Sequence, residues 1–160
     1  MTILYRVLGF IINVFALFIA MALVFIIPAS LTVPPLWLPV FMFVAIVLYT
    51  WFSQKFQRLV LIQQKPVRAS LRDWIRVNGF VTIVSCILNI SPIIALLRNP
   101  AAYIAAMKAA LTQLGPQYEQ SFKPESLTSV AIVMVVYLLI LLVHVLWTFA
   151  LIKKNREFFQ

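Results

Sequence analysis

Four apolar runs without a single Asp, Glu, Lys or Arg constrain this chain more than any other feature, and they occupy residues 7–27, 36–52, 77–97 and 129–152. A helix rising ~1.5 Å per residue needs ~20 apolar residues to cross a hydrocarbon layer ~30 Å thick, so each run is a candidate membrane span. Hydrophobic residues make up 64% of the chain and charged residues only 11%, against roughly a quarter charged in soluble domains, which excludes a water-soluble core. The first run exceeds the ~7–15 apolar residues of a cleaved leader and reads as a span.

The thirteen basic residues orient these spans. Arg6 precedes the first span; Lys55, Arg58, Lys65, Arg68, Arg72 and Arg76 lie between the second and third; Lys153, Lys154 and Arg156 follow the fourth. Arg98, Lys108 and Lys123 are left for the other side. The excess of Lys and Arg on cytoplasmic loops then predicts both termini and the basic loop 54–76 inside, with the Pro28 to Pro35 turn and segment 98–128 outside. The expected fold is an all-α membrane protein: one domain over residues 1–160, an antiparallel bundle of four transmembrane helices, N-in and C-in, in a bacterial inner (cytoplasmic) membrane. The net charge of +9 is spent on topology, so nucleic acid is not expected as a partner.

Local signals refine the connections. Pro28, Pro34, Pro35 and Pro39 bracket a tight outer turn with Trp37 as interfacial anchor, so the first two spans form a hairpin. Phe56 to Ile62 extends the second span as a helix until Gln63-Gln64-Lys65-Pro66 stops it, and Pro66 suits the first position of a new helix running through Arg68 and Arg76 into the third span. Outside, Asn99 as N-cap, Pro100 at the first helical position and Gly115 past the end enclose a short helix at about 100–114, striped by Ile104, Met107, Leu111 and Leu114. It is too short to span and is expected along the outer interface. Residues 116–124 read as a polar loop, with Pro124 and Glu125 in the first turn of the last helix. No internal repeat relates the two halves of the chain.

Polar side chains inside the spans are costly and so informative. Asn78, Thr82, Ser85, Cys86 and Asn89 fall within about 100° of one face of the third span. Gly9, Asn13, Ala16 and Ala20 share a face of the first, and Ser126, Tyr137, His144 and Thr148 one of the fourth. Asn13, Thr82, Ser85, Asn89, Tyr137 and His144 are therefore candidates for an intramembrane polar layer, and Gly9, Ala16 and Ala20 for close helix packing. Interhelical hydrogen bonding is the plain reading of the layer. A ligand, ion or proton site at His144, the one histidine, is the sharper reading, and a haem shared by His144 of two copies is a third. The scaffold reading expects His144 to bond Ser85, Thr82 or Asn13.

At the inner edge, Arg68, Arg72 and Arg76 are spaced i, i+4, i+8, with Lys65 before them, Trp74 beside them and Asp73 placed to pair with Arg76. Such a row suits anionic lipid headgroups or an acidic partner surface; topogenic charge alone would also account for it. Enzymatic machinery is thin: the acids are Asp73, Glu119, Glu125 and Glu157, all outside the apolar runs, and lone Cys86 allows no intrachain disulfide. The expectation is a non-enzymatic integral membrane accessory or scaffold subunit without cofactor or metal, which packs with other membrane subunits or as a homo-oligomer and binds anionic membrane lipid. The alternative is a small oligomeric channel or transporter with a polar path near Asn13, Ser85, Asn89 and His144.

Overall fold

The computed structural model describes residues 3–32, 34–114 and 127–160, and every extended element among them is helical. Helix α1 spans Ile3–Thr32, α2 Trp37–Phe56, α3 Ala69–Arg98, α4 Pro100–Leu114 and α5 Leu127–Lys154. Four of them are long and apolar enough to cross a membrane, α2 counting with the helical turn Gln57–Ile62 that continues it. Their outward faces are apolar: Phe25 is 78% exposed, Phe10 69% and Phe80 65%. Hydrocarbon solvates such faces at no cost, whereas it leaves the backbone no partner but itself, which selects helices.

The helices outrun the apolar runs. Pro28 lies inside α1 and Pro92 inside α3. A proline forfeits only its own N–H bond and its clash one turn back, and with no water to compete the remaining backbone bonds keep the helix going. The α1–α2 turn is thus shorter than the Pro28 to Pro35 bracket: Ser30 Oγ donates to the Ile27 carbonyl at 2.7 Å, the Trp37 indole N–H donates to the Ser30 carbonyl, and a 3₁₀ turn at Pro34–Leu36 leads into α2.

The connection from α2 to α3 also differs from expectation. Gln57–Ile62 is π-helical rather than α-helical, and Gln64 at φ 50° ends it in the left-handed region. Pro66 does not begin a helix, because α3 starts at Ala69. The backbone of Val67 is taken instead by the chain's last residues: Val67 N–H donates to the Phe158 carbonyl at 2.7 Å, Gln160 N–H to the Val67 carbonyl at 3.0 Å and Ala69 N–H to the Gln160 carbonyl at 2.8 Å. The Phe56 and Phe159 rings stack over this joint at 5.9 Å. Arg68 therefore sits in an extended segment, off the helical face that carries Arg72 and Arg76.

The chain divides into two compact units. Unit one holds Met1–Ser85 and Ile140–Gln160, with Tyr5, Ile12, Tyr49, Phe56, Ile75, Leu141 and Val145 fully buried. Gly79 matters there: a Cβ on it would lie 2.8 Å from two Phe149 ring carbons, so only glycine lets that ring lie on α3. Unit two holds Cys86–Leu139, with Cys86, Leu96, Ala131, Tyr137 and Leu138 buried. In it Asn99 Oδ1 accepts the Ala102 N–H at 3.2 Å, the N-cap bond, with Pro100 opening α4. Tyr103, Ile104 and Met107 are its half-buried residues among those described. Gly115, the 116–124 loop, Pro124, Glu125 and Ser126, and the side chains of Leu111 and Leu114, lie outside the described residues.

Candidate functional site

The polar centre of unit one is built by three helices. Tyr5 comes from the first turn of α1, Tyr49 from α2, and His144 and Thr148 from one face of α5, an i, i+4 pair. All four are buried. Thr148 Oγ1 lies 3.0 Å from Tyr5 Oη and 2.9 Å from Tyr49 Oη, and donates to the His144 carbonyl at 2.7 Å. Tyr49 Oη lies 2.8 Å from His144 Nδ1. The imidazole stacks on the Tyr5 ring at 4.7 Å and 9°, and meets the Tyr49 ring edge-on at 6.0 Å.

Counting protons assigns the donors of these four bonds when all are made together. The Thr148 hydroxyl proton is committed to the His144 carbonyl, so both tyrosines must donate to Thr148 Oγ1, which has two lone pairs to accept them. Tyr49 has then spent its proton, and the remaining bond requires His144 Nδ1–H to donate to Tyr49 Oη. Only the Nδ1–H tautomer satisfies all four bonds. It leaves Nε2 as a bare lone pair, buried without a hydrogen-bond partner among the described residues. Nε2 faces α1 at Gly9: a Cβ there would lie 3.4 Å from it and 3.2 Å from Gln57 Oε1. The arrangement clasps α1 to α2 and α5.

The residues expected in the polar layer are distributed otherwise. Thr82 Oγ1 donates to its own helix at the Asn78 carbonyl (2.7 Å) and Ser85 Oγ to the Val81 carbonyl (2.9 Å), the usual alternative for a hydroxyl in a helix. Asn13 is exposed. It lines a surface cleft of about 430 Å³ between α1 and α2, together with Ala16, Ala20, Thr50 and Gln54. The bonds of His144 thus run to Tyr49 and its neighbour Thr148 rather than to Asn13, Thr82 or Ser85. Asn89 and Tyr137 belong to unit two, where Tyr137 is buried and Asn89 half-buried. Gly9 and Ala16 are buried, and Ala20 is half-buried.

Among the basic candidates, Lys65, Arg68 and Arg76 are exposed. Arg72 Nε pairs with Asp73 Oδ1 at 3.0 Å, the neighbour taking the carboxylate that the spacing offered to Arg76. Being exposed, the pair contributes little to stability. Trp74 is half-exposed with its ring stacked on Phe52 at 5.6 Å.

No protein-family model, curated protein or solved structure matches this chain. Its chemistry must be read from its own residues. No three His, Cys, Asp or Glu side chains converge on a metal-sized point among the described residues. Tyr5 and Tyr49 are the members of the clasp that sequence reasoning missed, since both sit near span ends, away from the polar stripes. The available signal was the His144, Thr148 pair, whose hydroxyl and ring nitrogen call for donors from another helix.

Proposed function

We propose that the protein is a non-enzymatic integral membrane accessory subunit, which associates with another transmembrane helix through the α1–α2 cleft and binds anionic lipid at its inner edge. The observation that carries this reading is Asn13. It lies six residues into the apolar run 7–27, about 9 Å from its start at ~1.5 Å per residue and so inside a ~30 Å hydrocarbon layer, and is exposed there. An amide facing lipid is unfavourable, whereas one facing a partner helix gains a hydrogen bond, and Ala16 and Ala20 along the same cleft permit close approach.

The threading that goes with this role is N-in, C-in and antiparallel. Two features support it: the meeting of Tyr5, at the start of α1, with Thr148, near the end of α5, and the gathering of basic residues at the ends so defined. Lys65, Arg68, Arg72 and Arg76, with Trp74 among them, then lie at the headgroup level of a cytoplasmic membrane. The buried clasp argues for a structural His144 and against a polar path through it, since Tyr5, Tyr49 and Thr148 close around the ring.

Energy transfer between labelled proteins in bilayers tests the reading, first with purified protein and then with its native membrane present. Asn13→Leu is expected to abolish association and Asn13→Gln to retain most of it. Equal transfer for wild type and Asn13→Leu would refute the proposal.

A further inference from the structure

Between the inner half of α3 and the end of α5 lies an apolar groove of about 610 Å³. Phe80 and Val81 of α3 and Phe149 of α5 line it, and three cations belong to its lining: Arg76, Lys153 and Arg156. No carboxylate among the described residues lines it. The two nearby in sequence are accounted for: Asp73, one turn before Arg76, is paired with Arg72, and Glu157 does not line the groove.

Each cation reaches this place by a different structural device. Arg76 projects from α3, and Lys153 from the last turn of α5. Arg156 lies beyond α5, in the 3₁₀ turn Arg156–Phe158. That turn is held by the backbone bonds of Phe158 and Gln160 with Val67 and by the Phe56–Phe159 stack. The apolar wall depends on Gly79, which lets the Phe149 ring lie back against α3.

Three cations with no carboxylate among the lining residues call for an anion, and the aromatic walls beside them call for hydrocarbon. We infer that this groove holds one anionic phospholipid, its phosphate among Arg76, Lys153 and Arg156 and an acyl chain along Phe80, Val81 and Phe149. The inference rests on the membrane-embedded, anionic-lipid reading above and adds to it a defined site, residues of α5 and the tail that the basic loop does not include. The folded-back tail is what completes the site.

The test is native mass spectrometry of the purified full chain, released from nanodiscs of equal phosphatidylglycerol and phosphatidylcholine. Wild type is expected to retain one phosphatidylglycerol most strongly. Each of Arg76→Gln, Lys153→Gln and Arg156→Gln should weaken retention about fivefold, the scale of ~1 kcal/mol for a basic residue near an anionic surface. The triple variant should lose the preference. A charge-matched control away from the groove, Arg6→Gln with Arg58→Gln and Lys154→Gln, should keep it. Phe159→Ala, which frees the tail without removing a charge, should weaken retention as far as Arg156→Gln does. If wild type shows no preference for phosphatidylglycerol, both the site and the anionic-lipid reading fail. If the preference exists but the groove triple retains it, the site alone is overturned and the broader reading stands. Displacement of the lipid by millimolar inorganic phosphate would show a simple ion site and overturn the lipid assignment.

Discussion

Removing single hydroxyls from the clasp tests its proton assignment, because the assignment ranks substitutions that look alike. Tyr5→Phe deletes one bond and strands nothing, since Thr148 Oγ1 still accepts from Tyr49 and still donates to the His144 carbonyl. Interhelical hydrogen bonds in membranes average ~0.6 kcal/mol, so the expected cost is about 0.5–1 kcal/mol. Tyr49→Phe deletes two bonds and leaves His144 Nδ1–H buried without an acceptor. Two bonds at that average plus ~1–3 kcal/mol for a stranded buried donor, partly overlapping, give about 2–3 kcal/mol. Both substitutions keep the ring and its stacking against His144, so packing is nearly constant between them. Reversible unfolding in mixed micelles, followed by tryptophan emission with Trp147 beside Tyr5, measures the difference. Equal losses, or a larger loss for Tyr5→Phe, would refute the assigned donors.

Three other expectations follow from the same geometry. The ¹⁵N shifts of His144 in lipid should show a protonated Nδ1 and an unprotonated Nε2; the reverse tautomer would contradict the count, and His144→Gln, whose amide can still donate to Tyr49, should destabilise less than His144→Leu, which deletes that bond at ~0.6 kcal/mol while Tyr49 keeps its bond to Thr148. Gly79→Ala places a methyl 2.8 Å from the Phe149 ring and should cost ~1–3 kcal/mol by overpacking, relieved when Phe149→Leu is added; additive losses would show that the contact is not the cause. With Cys86 replaced, Gln117→Cys should react with an impermeant thiol reagent in intact cells and Gln64→Cys should not, and the opposite pattern would invert the proposed threading.

Helices were legible in the sequence because charge-free apolar runs leave the backbone one way to satisfy itself in hydrocarbon. Their ends were less so. Pro28 looks like a boundary by rules learnt from water, yet α1 passes through it to Thr32. Asn99 was readable as a cap because that bond is local, from Oδ1 to an N–H three residues on. The joint of Val67 with Phe159 was not, since nothing in either short segment signals pairing with the other. Its consequence is chemical: it takes Arg68 off the helix and holds Arg156, so the basic groove contains Arg76 but otherwise draws on residues far along the chain. The polar layer was half legible. The face of His144 and Thr148 could be read from spacing, whereas the tyrosines that meet it depend on how α1 and α2 pack.

The proposed function requires that the α1–α2 cleft face protein within the membrane. A photoreactive amino acid at Leu17, which lines that cleft, measures this most directly when irradiated in native membranes beside the same probe at Phe18, which does not line it. A discrete protein cross-link is expected from position 17, lost with Asn13→Leu and retained with Asn13→Gln, and lipid adducts alone from position 18. Lipid adducts alone from both positions, or a cross-link indifferent to Asn13, would contradict it.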